Sequence, residues 1–160
     1  MSASRKTNAL RILESLGIAH EVAEHPVSEE HFDAVRVASM LGVSPDVLFK
    51  TLVARAGPDA VHVFCIPGNA ELDLKKAARA AGARSIELVP LKELTPLTGY
   101  VRGGCSPVGM KKKYPTWVDE AASRLPRMYV NAGARGLQAL LAPDDLLRAT
   151  GATLADLCVR

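Results

Sequence analysis

Residues 48–66 read LFKTLVARAGPDAVHVFCI. Two runs with β-branched and aromatic residues, 48–55 and 61–66, flank the turn-like link AGPDA. The pattern predicts a β-hairpin. Successive side chains of a strand alternate between its faces. Leu48, Lys50, Leu52 and Ala54 therefore share one face, and Phe49, Thr51, Val53 and Arg55 share the other. Lys50 falls between two leucines, where an ammonium is costly unless it is paired or reaches water. Two readings fit. The lysine either snorkels or guards a sheet edge, or it points into a pocket to meet negative charge.

Outward from this hairpin, helices and strands are interspersed. Residues 7–17 read as an amphipathic helix that stops at Gly17, and 30–41 as a second helix followed by Gly42. Ser44 and Pro45 suit a cap and a first helical position. Residues 69–81 and 143–150 read as further helices, closed by Gly82 and Gly151, with a short helix at 91–95. Strand candidates are 20–25, 85–89, 128–131 and 137–141. The helices are too few for a repeating βαβ wind, so an α/β (α+β) fold is expected, with a mixed sheet, curved and flanked by helices.

The 160 residues, 48% of them apolar, suit one domain spanning 1–160 with a single core. Aromatics make up only 4%, so that core must be aliphatic. A net charge of +3 permits a polyanionic partner without demanding one. No apolar run approaches a membrane span, and the N-terminus lacks a signal-peptide core. Cys65, Cys105 and Cys158 show no C-x-x-C spacing, so neither a disulfide framework nor a zinc knuckle follows. The expectation is a soluble, cytoplasmic protein with reduced thiols.

A second stretch, residues 98–109, reads TGYVRGGCSPVG. Gly103 and Gly104 let a backbone approach a ligand closely, and successive amides in such a turn can form an anion-binding nest. An ordinary turn is the alternative. Cys105 has no histidine placed beside it, and a catalytic thiol needs a base or a depressed pKa, so a buried, inert cysteine is expected. His20, His25, His31 and His62 form no zinc spacing, and no nucleophile elbow, P-loop or Rossmann fingerprint occurs. His62 reads as structural; His25 and His31 flank a loop where a ligand contact is open. Lys111, Lys112 and Lys113, with Arg102 nearby, form either a solvated surface or a contact for a phosphate backbone.

FKTLV, AELDLKKAARAAGA, LTGYVRGGCSPVGMKKKYP and the later AGARGLQ and LAPDDL occur in this order. Together they resemble the YbaK/prolyl-tRNA-synthetase-associated editing-domain family, in its YbaK branch of cysteinyl-tRNA(Pro) deacylases. The resemblance covers nearly the whole chain. It implies a compact mixed fold with a barrel-like sheet and a trans-acting deacylase that clears cysteine from tRNA(Pro), without metal or cofactor. Cys-tRNA(Cys) is a second substrate it allows, and prolyl-tRNA synthetase a partner. It implies that Lys50 is the essential lysine of the F-K-T stretch, with Thr51 beside it. It implies that the loop holding Gly103, Gly104, Ser106 and Pro107 clamps the aminoacyl end, and that Phe32 and Asp145 line the pocket. Arg102 and the three lysines are then tRNA contacts. No protein nucleophile is implied, because the substrate's own thiol attacks its ester. Two alternatives stay open: a deacylase for another small residue such as alanine on tRNA(Pro), and a non-catalytic RNA- or nucleotide-binding module.

Overall fold

The computed structural model describes residues 6–27 and 33–160. The predicted hairpin is its centre. Strands β2 (Phe49–Arg55) and β3 (Val61–Pro67) pair antiparallel, with Lys50 opposite Ile66 and Thr51 opposite Cys65. Among the described residues, five α-helices accompany the strands: α1 (Asn8–Ser15), α2 (Ala34–Leu41), α3 (Leu74–Ala81), α4 (Leu94–Thr98) and α5 (Pro143–Thr150). The remaining strands are β1 (Glu21–Glu24), β4 (Glu87–Leu88), β5 (Thr116–Asp119), β6 (Met128–Ala134), β7 (Leu137–Leu141) and β8 (Thr153–Ala155).

Local chemistry sets the helix ends. The Asp33 carboxylate accepts from the Arg36 amide at 2.8 Å and starts α2. Asp73 does the same for Lys75 and Lys76, so α3 begins at Leu74 rather than at the expected residue 69. An aspartate that serves as N-cap has extended backbone and cannot lie inside the helix. The expected start of α2 at residue 30 lies outside the described residues.

The strands form two sheets, ordered β1-β7-β6 and β4-β2-β3-β5-β8. The second is mixed: β2 is antiparallel to β3 and β4, whereas β5 is parallel to β3 and β8. Outside the named strands, a parallel bridge between Leu48 and Tyr129 links the sheets. The fold is mixed α/β, and among the described residues the two sheets close no barrel.

The main core lies between the two sheets. Phe49, Cys65 and Val118 meet Met128, Val130, Leu137 and Ala139 there, with Leu10 and Leu13 of α1 and Leu146 of α5 sealing the ends. The opposite face of the larger sheet, with Ala54, Phe64 and Ile66, is covered by Ala77 and Ala78 of α3. A smaller cluster joins α2 to Leu48 and Tyr129. Leu48 thus belongs to the α2 cluster and Leu52 to the α3 cluster. Lys50 occupies the gap between them. Among the described residues, no helix is long and apolar enough to cross a membrane.

Candidate active site

A cleft of about 300 Å³ opens at this gap. Leu48, Phe49, Lys50, Thr51 and Leu52 line it in unbroken succession. Five consecutive residues from both faces of a strand mark the strand's edge, not a face. The edge is open because β4 pairs with β2 only at Ala54 and Arg55. Val89 reaches Val53 O at 3.0 Å. By the two-residue period, the N–H and C=O of Thr51 point out of the same edge, beyond the reach of β4.

Lys50 is half-buried, and among the described residues its ammonium makes no hydrogen bond or ion pair. Burial lowers its pKa from the ordinary lysine value, partly countered by Cys158, Asp33 and Glu71. The structure therefore favours the reading in which the cation serves a pocket.

The glycine loop forms the wall beside it. Arg102, Gly103 and Cys105 line the cleft. Gly103 has φ +80°, a conformation that side chains resist. A Cβ on Gly104 would come within 2.9 Å of the Arg135 amide nitrogen, so the loop packs backbone to backbone on the β6–β7 hairpin. The Gly104 amide is consumed within the loop, donating to Val101 O at 2.9 Å. Among the described residues, the amides of Gly103, Cys105 and Ser106 are not taken up in this way.

Cys105 is buried, and that burial pushes its thiol up to about 11. It stays protonated at neutral pH and is a poor nucleophile. Burial likewise raises Cys65 and Cys158, both to about 12. His62 is structural as expected: its Nδ1 accepts from Trp117 Nε1 at 3.2 Å. Among the described residues, no cluster of three His, Cys, Asp or Glu side chains is arranged to hold a metal ion.

Of the residues singled out from sequence, Lys50, Thr51, Arg102 and Gly103 converge on the cleft. Ser106 does not present its hydroxyl there. It is 1% exposed, and its Oγ accepts from the Val108 amide at 3.1 Å. Pro107, Lys112 and Lys113 line a second cavity of about 200 Å³ instead. Lys111 donates to Pro96 O at 3.2 Å. Asp145 lines neither cavity; it lies in the first turn of α5, 3.8 Å from Arg148. A strand register, not proximity in sequence to the AGARGLQ motif, decides what faces the cleft. Phe32 lies outside the described residues.

Among the cleft residues that escape the sequence reading are two amides. Asn131 of β6 and Gln138 of β7 stand directly opposite each other and both line the cleft. Their signal is a single polar residue within each apolar strand, YVNA and LQALL, at positions that alternate with core residues.

The aminoacyl-tRNA editing domain matches residues 28–149. The chain is 43% identical over 156 residues to EbsC of Enterococcus faecalis, a candidate Cys-tRNA(Pro)/Cys-tRNA(Cys) deacylase, covering 98% of this chain and 95% of that one. It is 29% identical over 118 residues to a proline–tRNA ligase of Shouchella clausii, covering 74% of this chain but 20% of the ligase. A crystal structure described as a candidate trans-editing enzyme for prolyl-tRNA synthetase superposes with a TM-score of 0.83 at 30% identity, covering 98% of this chain and all of that one. With a cleft built from the F-K-T strand and the glycine loop, and with this match across most of its length, the chain belongs to the aminoacyl-tRNA editing-domain family.

Proposed function

We propose that this protein is a trans-acting deacylase that removes cysteine from tRNA(Pro), and also from tRNA(Cys), in the Lys50 cleft. The relation to EbsC supports the substrate class. The observation that carries the chemistry is the unpaired Lys50 ammonium in a cleft also lined by Gly103 and Cys105, whose amides make no backbone hydrogen bond among the described residues. These are donors for an oxyanion; the cleft offers no activated nucleophile to go with them, since the one cysteine lining it is held protonated.

The substrate supplies the nucleophile. The thiolate of the bound cysteine attacks its own ester carbonyl, forming a carbon–sulfur bond and a cyclic thiolactone. The ester carbon–oxygen bond breaks, and the terminal ribose hydroxyl leaves with a proton. Water later opens the thiolactone to free cysteine. The protein holds the reactive conformer and stabilises the developing negative charge through Lys50 and the loop amides. One preorganised donor of this kind is typically worth roughly a hundred- to a thousandfold in rate. The solved relative named for prolyl-tRNA synthetase supports action on tRNA released by that enzyme, with the synthetase as an associated partner.

Seryl-tRNA on the same tRNA body tests the mechanism. The two aminoacyl groups differ by one atom, but a free hydroxyl is weak without a base whereas a thiol is partly ionised near neutral pH. Seryl-tRNA is expected to bind comparably and be cleaved far more slowly in single turnover. Equal rates for the two esters would replace substrate assistance with an enzyme-bound water. Faster cleavage of alanyl-tRNA(Pro) would reassign the substrate, and binding of all three without cleavage would make the protein a binding module.

A further inference from the structure

Gln138 is 4% exposed, yet its Oε1 is buried with no hydrogen-bond partner among the described residues. Leu137 and Ala139 on either side of it turn into the core. The Gln138 side chain must turn the opposite way, toward the cleft it lines. An amide oxygen removed from water and left unpaired is costly, and such an exception calls for a reason.

His25 explains why the oxygen is the end left over. His25 Nδ1 lies 3.0 Å from Pro26 O. A carbonyl only accepts, so Nδ1 carries the ring proton in the neutral imidazole and Nε2 is an acceptor. Gln138 Nε2 lies 3.3 Å from that Nε2 and donates to it. Reversing the amide would set two acceptors face to face. The tautomer of His25 therefore fixes the amide of Gln138 with its carbonyl oxygen spare. Lys50, on the other sheet, offers only donors, and a second cation would be repelled from it. Of the other acceptor side chains that line the cleft, Asn131 Oδ1 is taken by the Gly133 and Ala134 amides, Thr51 Oγ1 lies 4.0 Å from Cys65 Sγ, and Asp33 is exposed and caps α2 through Oδ1.

We propose that Gln138, oriented by His25, accepts a hydrogen bond from the α-ammonium of the aminoacyl group. This rests on the deacylase reading and adds to it the residue that recognises the amine. Gln138 touches substrate; His25 is a positioning residue.

The test compares cysteinyl-tRNA with 3-mercaptopropionyl-tRNA, which keeps thiol and ester but lacks the amine. Each rate is divided by the spontaneous cleavage rate of the same ester. The wild-type protein is expected to prefer the cysteinyl ester by about tenfold or more in kcat/KM, mainly through KM, as suits a hydrogen bond to a charged group. Gln138→Leu and the longer Gln138→Met, each checked for native circular dichroism, should bring that preference close to one. His25→Phe should weaken it by freeing the amide to turn. Adding Gln138→Glu to His25→Phe should restore it, because either carboxylate oxygen accepts. A preference that survives both folded Gln138 variants overturns the proposal, as does a failure of glutamate to rescue. Equal cleavage of the two esters by the wild-type protein overturns this inference alone. Cleavage of neither overturns the deacylase reading with it.

Discussion

The side-chain amide of Asn131 donates to the carbonyl of Gly103 at 3.0 Å, tying the glycine loop to the β6–β7 hairpin. Asn131 also organises the hairpin itself: Oδ1 accepts from the amides of Gly133 at 2.6 Å and Ala134 at 3.2 Å. One side chain therefore sets the distance between the wall that carries the loop amides and the wall that carries Gln138. Asn131→Asp keeps the acceptor for the hairpin amides but sets a carboxylate oxygen against Gly103 O. It should cost roughly 1–3 kcal/mol of stability, and the rate of the chemical step should fall further than binding. Denaturant unfolding read beside single-turnover deacylation separates the two effects. Wild-type turnover in folded Asn131→Asp would mean that the loop keeps its shape without this bond.

Lys50 should be needed for activity but not for folding. Burial depresses its pKa in the folded state below the unfolded value near 10.5. Between those two values the unfolded chain binds more protons, so stability rises as pH climbs through that window. Below the folded pKa the cost of the buried charge is present in full. Lys50→Met removes the charge and fills the gap between Leu48 and Leu52 with an unbranched apolar chain. The variant is expected to melt no lower than wild type at neutral pH, to lose the alkaline rise in stability, and to deacylate at least a hundredfold more slowly, on the order of one lost oxyanion donor. Arginine should rescue poorly, since its planar fork is larger and directed differently. Thermal melts at neutral and alkaline pH with a single-turnover assay decide it.

Cys105 lines the cleft but should be chemically idle. Its thiol titrates near 11 because it is buried, so the thiolate fraction near neutral pH is very small. Cys105→Ser should retain most of the wild-type deacylation rate, and pretreating the protein with iodoacetamide below pH 9, with the reagent quenched before cysteinyl-tRNA is added, should leave that rate unchanged. Strong chelators should leave it unchanged as well. If either treatment stopped turnover in a folded protein, the nucleophile would have to be reassigned.

Much of this architecture is legible in residues 48–66, because a two-residue period and a turn between two strands are local signals. Strands β5 and β8 are not. They are short, and each is held by parallel pairing to a strand distant in sequence. Lys50 stands out because a charge interrupts an apolar face, and the loop because its glycines fit no regular element. Asn131 and Gln138 carry a weaker mark: one polar residue between core positions is also what a solvent-facing strand shows. Only the packing of α2, β2 and the loop over that sheet face turns a solvent pattern into a cleft pattern. The motif that holds Asp145 is conspicuous, but its carboxylate, in the first turn of α5, lies 3.8 Å from Arg148 and lines neither cavity.

The lysine run should divide by function. Lys111, Lys112 and Lys113 are all exposed, but Lys111 is engaged with the carbonyl of Pro96. Lys112 and Lys113 instead border the second cavity with Pro107, whereas Lys50 shares its cleft with Arg102, Gly103 and Cys105 of the same loop. If tRNA lies across the loop with its end in the Lys50 cleft, these two ammonium groups meet its backbone. Each phosphate contact releases condensed counterions and adds about 0.7–0.9 to the slope of log affinity against log salt. The double change Lys112→Gln with Lys113→Gln should therefore weaken tRNA binding and reduce that slope by roughly one to two. Lys111→Gln should move it much less. The cleavage rate of tRNA already bound should be little affected by the double change, because neither lysine lines the Lys50 cleft. Filter binding across a salt series, with saturating single-turnover rates beside it, reads both quantities. An unchanged slope in the double variant would make the run a solvated surface and send the acceptor stem across another face.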